Sequence, residues 1–482
     1  MPPSSARLRE FLPTARELAG LFAARGLACV VAWHAGFRAL SDDDYARIVI
    51  AQRFAHAPAF DPSGTSWLPA PFWVYGAAFR VFGTGLDVAR VTAISLGLGA
   101  TLAVYVAARL LGASNFGALL GAAASCLLVP YSTLLGLAAV PELPCAALLL
   151  FSAATLARAE PALRVWGGVA LLVASWSRYE AWPIALVFAL FCAWDALRQR
   201  RLGYAVGGVL ALAGPLGWLA LGRAEHGDAL FFVARVTAYR RALGGLPESL
   251  WQRVREYPFA LFANAPVLCG AWPVLAWFAR RRGLFGLRSG RCLLAMLALL
   301  AFLVLGSTRD GVPTHHAARV LLPLWLLGSV FIGHLLAELS ATRTRAALTL
   351  GLLALAALPS LRPLSASCAE RSAELAAGRA ARQFTRAGLA IDTADYGYFA
   401  VQAAFGSPLG TRVLDDHDPR HTSPNPFGST AALDGVLRKQ ALHFALVVTE
   451  HAALLPARCS ARWASPRYAL FECPDSDSQD RR

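Results

Sequence analysis

Long apolar runs separated by short polar gaps dominate the chain from residue 18 to residue 361. Crossing a bilayer as a helix takes about 20 residues, and by that measure the pattern predicts about eleven spans. They fall at 18–38, 87–111, 115–132, 139–157, 165–178, 180–197, 203–222, 259–279, 291–307, 317–338 and 345–361. The fifth and sixth are short and nearly continuous. The stretch 72–83 reads as a half-span or a surface helix. From about 362 the rhythm changes. Short strand-like runs at 388–391, 411–414, 444–448 and 467–471 alternate with helical stretches around 395–405 and 431–441. Such alternation predicts a small α/β domain. The expected fold class is an α-helical polytopic membrane protein of about 11 transmembrane helices with a small C-terminal α/β extracytoplasmic domain. Its expected division is 1–361, including a first outer loop at 39–71, and 362–482. No internal repeat and no low-complexity linker interrupts this plan.

Composition supports the membrane reading. Of 482 residues, 56% are hydrophobic and 16% charged, against about 25% charged in ordinary soluble domains. The formal net charge of +15 is not a nucleic-acid signal, because the arginines sit mainly in the short gaps between apolar runs. Arg7, Arg9, Arg16 and Arg25 precede or begin the first span. Arg109, then Arg158 and Arg164, then Arg198, Arg200 and Arg201, then Arg280 to Arg282, Arg288 and Arg291, then Arg343 and Arg345 mark alternate gaps. With the N-terminus inside, every one of these gaps is cytoplasmic. An odd number of spans then places the C-terminal domain outside. Six of the nine cysteines lie in or beside apolar runs and read as small buried hydrophobes. Cys459 and Cys473 flank a hairpin-like segment and could pair in an oxidising compartment.

The polar residues without a topological task gather on the outer side. Asp42, Asp43 and Asp44 directly succeed the first span. Three adjacent carboxylates beside a bilayer repel one another and resist desolvation, so they need a cation, donors or a catalytic task. They also suit a helix N-terminus, with 45–56 as a surface helix. Beyond them lies a Pro-rich aromatic stretch, Ser66-Trp67-Leu68-Pro69-Ala70-Pro71-Phe72-Trp73. An apolar segment then ends in Phe82-Gly83, and a span opens with Arg90. In this order of features the chain resembles the GT-C superfamily of membrane glycosyltransferases. More narrowly it resembles the branch holding protein O-mannosyltransferases and the lipid A aminoarabinose transferase. The likeness runs over roughly 38–340 and is loosest after about residue 200. In that family an acidic pair opens the first outer loop, and Asp42-Asp43 stands in its place.

Other candidates lie farther along the chain. Glu142, in Pro141-Glu142-Leu143-Pro144, opens the fourth span where many relatives carry an acidic residue facing the site; a helix-start acid is the alternative. Arg178 and Glu180 are ionisable groups at a span break, costly there unless used, or paired simply with each other. His315, His316 and Arg319 come after Thr308-Arg309-Asp310-Gly311. His315 and Arg319 would share a helical face and form a phosphate pocket. The alternative there is a polar turn at the headgroups. Tyr45 and Trp67 complete the expected substrate-binding set. Asp415, Asp416, His417, Asp418, Arg420 and His421 form a polar loop that either touches an acceptor or is simply solvated. Lys439 is the sole lysine, so no Walker A loop exists, and no HExxH or GxSxG motif is present.

The resemblance implies an enzyme that takes a sugar from a polyprenyl-phosphate donor and passes it to a hydroxyl, with inversion, at the outer face of a bacterial inner membrane. The donor and membrane lipid are the expected partners. The acceptor is a protein, a lipid or a glycan, and nucleic acid is not expected. Asp42 is the expected general base and Asp43 the second candidate. His315, Arg319 and Arg178 would hold the leaving phosphate. No cofactor is required, although a divalent metal held by Asp43 and Glu142 is compatible. A secondary transporter or flippase for a lipid-linked or anionic solute is the competing reading. It predicts midplane charges and paired inverted halves instead. A structural scaffold for the envelope is the third reading, under which the Asp cluster would be dispensable.

Overall fold

The computed structural model describes residues 10–242, 249–282, 287–310, 317–366, 368–415, 417 and 426–474. Its helices are α1 (Ala15–His34), α2 (Asp42–His56), α3 (Ala70–Phe82), α4 (Leu86–Leu111), α5 (Asn115–Leu127), α6 (Pro130–Leu135), α7 (Glu142–Thr155), α8 (Pro161–Ser175), α9 (Ala181–Gln199), α10 (Leu202–His226), α11 (Phe231–Ala242), α12 (Leu250–Ala263), α13 (Pro266–Arg281), α14 (Gly290–Asp310), α15 (Ala317–Val320), α16 (Leu322–Leu339), α17 (Arg343–Ala366), α18 (Ser372–Phe384), α19 (Tyr398–Phe405) and α20 (Thr430–Lys439). The strands are β1 (Leu389–Ile391), β2 (Thr411–Val413), β3 (Phe444–Val448), β4 (Ser460–Ala464) and β5 (Tyr468–Glu472). The protein is a polytopic helical membrane protein with a small C-terminal sheet.

Each apolar run became helical, but the span count is smaller than eleven by length. Among the described residues, α4, α9, α10, α14, α16 and α17 are long and apolar enough to cross a membrane. The pair α12 and α13 makes a seventh if a bend of 80° is allowed within one span. Helices α5, α7 and α8 are apolar but shorter. Proline explains two of the breaks. Pro130 and Pro266 open new helices at positions where their missing N–H costs nothing.

Contacts divide the chain into two compact units. The first holds residues 1–37, 65–70 and 93–367; the second holds 38–64, 71–92 and 368–482. The first outer loop and α3 thus group largely with the tail.

Within the first unit, small residues let helices approach closely. A Cβ on Gly333 of α16 would sit 2.0 Å from the backbone nitrogen of Gly121 on α5. One on Gly168 of α8 would sit 2.3 Å from the carbonyl oxygen of Gly207 on α10. Such contacts replace the hydrophobic effect, which is weak between helices in lipid. The arginines do more than mark topology. Arg25 lies buried inside α1, where Nε donates to Thr101 Oγ1 (3.0 Å) and Nη1 to the Ser132 carbonyl (2.7 Å). It ties α1 to α4 and α6 and does not face a loop. Arg158 donates to the carbonyls of Leu110 and Arg109 at the end of α4 (2.6 and 3.0 Å). The last carbonyls of a helix lack i+4 partners, and that of Arg109 also accepts from the Gly112 N–H (3.1 Å). Arg164 and Arg291 both pair with buried Asp195 (3.1 and 2.6 Å).

Within the second unit the sheet order is β2-β1-β3-β5-β4, with β1 parallel to β2 and β3, and β5 antiparallel to β3 and β4. Period-two alternation sends Leu389, Ile391 and Leu446 to one face, against α18 and α19, and Ala390, Ala445 and Val447 to the other, against α20. Cys459 and Cys473 form a disulfide across the ends of the β4–β5 hairpin. Helix α2 joins this unit through Gln52, whose buried Nε2 donates to the carbonyls of Thr84 (2.8 Å) and Ala403 (3.0 Å).

Candidate active site

The first unit gathers a four-residue charge cluster. Glu142 is the first residue of α7, and Arg178 and Glu180 sit in the break between α8 and α9. Arg178 grips Glu180 with two donors, Nε to Oε2 (3.1 Å) and Nη2 to Oε1 (2.7 Å). Its Nη1 donates to Glu142 Oε1 (2.6 Å). The pairing expected as the plain alternative, Arg178 with Glu180, therefore exists, and Glu142 joins it. Arg319, buried on α15, stands with Nη1 3.8 Å from the same Glu142 oxygen. Two guanidiniums and two carboxylates balance in charge. The Glu142 side chain is only 3% exposed, so its partners are what make its burial tolerable.

The break is braced by aromatic side chains. Tyr179 donates to the carbonyl of Ser66 (2.8 Å), and Trp218 Nε1 stands 3.1 Å from the Tyr179 hydroxyl. The N–H of Ala70 donates to the Trp176 carbonyl (3.0 Å). The segment carrying Trp67 is thereby strapped to the turn that carries Arg178. Trp67 itself is half-buried. A separate apolar groove of about 600 Å³ lies in this unit between α1, the α5–α6 region and α17. Leu27, Val31, Pro130, Leu348, Leu352 and Leu355 are among its walls. His315 and His316 lie outside the described residues.

In the second unit the three aspartates take different tasks. Asp44 turns back to accept from the N–H groups of Leu40 (2.9 Å) and Ser41 (3.4 Å), which caps α2. Asp42 accepts two hydrogen bonds from Arg371, Nε to Oδ1 and Nη2 to Oδ2, both at 2.8 Å. Asp43 is half-buried. Arg371 also reaches Glu374 (3.5 Å), a buried residue to which the Tyr468 hydroxyl donates (2.8 Å). Hydrogen bonding to Asp42 raises the Arg371 pKa above its ordinary value. Tyr45 is buried on α2, and burial first, then the nearby Asp44 and Asp42 charges, push its hydroxyl up to about 12. It therefore stays neutral at working pH. Arg90 donates to the Arg38 carbonyl at the head of the acidic segment.

Arg371, Glu374 and Tyr468 are the members that sequence reasoning missed. Nothing near them in the chain distinguishes Arg371 from the other arginines of the tail. Among the described residues no three His, Cys, Asp or Glu side chains gather as metal ligands. Asp43 and Glu142 fall in different units. Both Asp42 oxygens, and one of Glu142, already accept from guanidinium groups.

Nearly the whole chain shares its fold with a protein of known crystal structure. The crystal structure of ArnT from Cupriavidus metallidurans bound to undecaprenyl phosphate aligns with a TM-score of 0.61 at 16% identity, covering 96% of this chain and 99% of that one. The same protein in its apo state aligns with a TM-score of 0.58 at 17% identity, covering 94% and 97%. At these identities the likeness is one of fold. No family model and no curated protein sequence matches the chain.

Proposed function

We propose that this protein is a glycosyltransferase that uses a lipid-phosphate-linked sugar as donor. The observation that carries the reading is the near-complete structural likeness to ArnT, a protein captured with undecaprenyl phosphate. It is joined by a membrane-spanning unit holding guanidinium groups at a span break. Charge at such a place is expensive and marks use.

The reaction substitutes at an anomeric carbon. The acceptor hydroxyl gives its proton to Asp42, its oxygen bonds to the anomeric carbon, and the bond from that carbon to the phosphate oxygen breaks. Attack opposite the leaving group inverts the configuration. A carboxylate offers about four lone-pair positions, so the two donors of Arg371 leave Asp42 able to accept a proton, and they fix its orientation. Asp43 is the second candidate for the base. The lipid phosphate departs as an anion and needs cationic donors more than a proton. Arg178 and Arg319 supply them in this scheme. The prenyl tail suits the apolar groove of about 600 Å³. No step in this scheme is routed through a divalent ion. The site lies on the outer face of a bacterial inner membrane in this reading, with the N-terminus inside. The acceptor is any hydroxyl-bearing protein, lipid or glycan.

Purified protein is incubated with radiolabelled polyprenyl-phosphate sugars, and release or transfer of label is monitored. Transfer by wild type and silence from folded Asp42→Asn is the expected result. A wild type that binds such donors but leaves every one intact would overturn the transferase reading in favour of a flippase.

A further inference from the structure

The sheet unit contains a cavity that the transfer chemistry does not use. It measures about 590 Å³ and lies at the carboxyl ends of the parallel strands. Asp392 and Thr393 come directly after β1, Asp415 and His417 after β2, and Glu450 and His451 after β3. In the order β2-β1-β3 the chain leaves β1 to one side and returns on the other. Open α/β sheets bind ligands in the crevice formed there.

The lining is built. Asp392 is buried, and its Oδ2 accepts from the Val448 N–H (3.2 Å) and from Nδ1 of His451 (2.8 Å). This fixes the His451 ring with its proton on Nδ1 and leaves Nε2 for another partner. The ring stacks on Phe427, with centroids 4.4 Å apart. Nε2 of His417 donates to the Thr393 carbonyl (2.7 Å). The Thr393 residue is 2% exposed, and its hydroxyl has no hydrogen-bond partner among the described residues. An unmet buried hydroxyl is destabilising, and a ligand or water here would satisfy it.

The geometry points to a saccharide-binding site. Three carboxylates, Asp392, Asp415 and Glu450, outweigh Arg467 around the cavity and disfavour an anion. A metal lacks three gathered ligands among the described residues. Interleaved donors and acceptors beside a stacked ring pair fit a neutral or amino-substituted sugar. Arg467 also reaches Glu374 (3.5 Å), the residue that Arg371 shares with Asp42. The cavity wall is thus continuous with the network that holds the proposed base. Saccharide binding here stands apart from the transferase reading.

The full chain in detergent is titrated with free monosaccharides and their amino derivatives, read by saturation-transfer NMR, with inorganic phosphate as the contrasting probe. A saccharide should bind and phosphate should not. His451→Ala and the isosteric Thr393→Val should each weaken binding by about tenfold, while Asp42→Asn leaves it unchanged. Thermal unfolding verifies that each variant is folded. The saccharide site is overturned if no saccharide binds, if binding survives both substitutions, or if Asp42→Asn abolishes it and so assigns it to the transfer site. Sugar release from lipid donors is scored separately, so either reading can fail alone.

Discussion

Asp42 illustrates how one partner can position a single carboxylate. Arg371 donates one hydrogen bond to each of its oxygens, which fixes the plane of the group. Replacing Asp42 with Asn removes the proposed base, and general-base loss typically costs about 10²–10⁴ in rate. The turnover rate should fall by that order while donor binding persists. Full activity in a folded Asp42→Asn protein would sink the assignment and pass the role to Asp43. Arg371→Gln is a test of positioning: the rate constant should drop more than KM rises, and Arg371→Lys should rescue only part, because a point charge lacks the fork. Arg178→Ala makes a second residue-scale prediction, about stability. It strips Glu142 of its nearest partner and leaves a carboxylate 3% exposed. Breaking a buried pair costs about 3–5 kcal/mol; Arg319 nearby holds the expected loss at the lower end, visible as a fall in Tm. An unchanged Tm would mean that water already reaches Glu142. Asp42, Glu142, Arg178 and Glu180 were legible in the sequence because an ionisable residue against an apolar run stands out. Arg371 was not, because its partner lies 329 positions away and no local pattern encodes that meeting.

At the scale of elements, the sequence was most readable where a period or a breaker governs. Four of the tail's strands came out within a residue or two, because short apolar runs between polar segments mark them, while β4 (Ser460–Ala464), largely exposed and carrying Arg462, was missed. The apolar runs all became helices, yet length alone does not confirm eleven spans: α5, cut short before Pro130, and α7 and α8 are shorter than a span, and a bend of 80° divides α12 from α13. Run length alone cannot register a kink. The grouping of α2 with the sheet unit was likewise invisible, since it rests on contacts such as Gln52 to Ala403 across most of the chain. Helix packing yields a paired prediction. At Gly333 an added methyl meets backbone that cannot yield; overpacking costs about 1–3 kcal/mol or more, so Gly333→Ala should lower Tm and folded yield. Gly351 on α17 has open space around its Cβ position, and there Gly→Ala should be neutral or stabilising, by up to about 1 kcal/mol from helix propensity. Equal effects at the two sites would refute the close-crossing argument.

For the whole molecule, one covalent bond bears on which side of the membrane the tail occupies. The Cys459–Cys473 disulfide closes a segment of 14 residues. Such bonds persist in oxidising compartments and are rare where thiols are kept reduced. The arginine-rich gaps independently predict a cytoplasmic N-terminus. The two lines meet only if the polypeptide crosses the membrane an odd number of times. Since length and composition alone leave that count at six or seven among the described residues, α1 and the shorter apolar helices α5, α7 and α8 must decide its parity. Fusions of alkaline phosphatase and of green fluorescent protein to the C-terminus read the side directly. The phosphatase fusion should be active and the fluorescent one dark. In the same cells, trapping thiols before lysis should leave Cys459 and Cys473 unlabelled until reductant is added. Replacing both with Ser should destabilise the sheet unit by about 3 kcal/mol, as expected for a loop of this length, detected as faster proteolysis of the tail. A fluorescent, phosphatase-silent C-terminus would place the sheet unit in the cytoplasm. It would then separate Asp42 from any donor presented on the outer face, and the proposed reaction would have to be redrawn for the inner one.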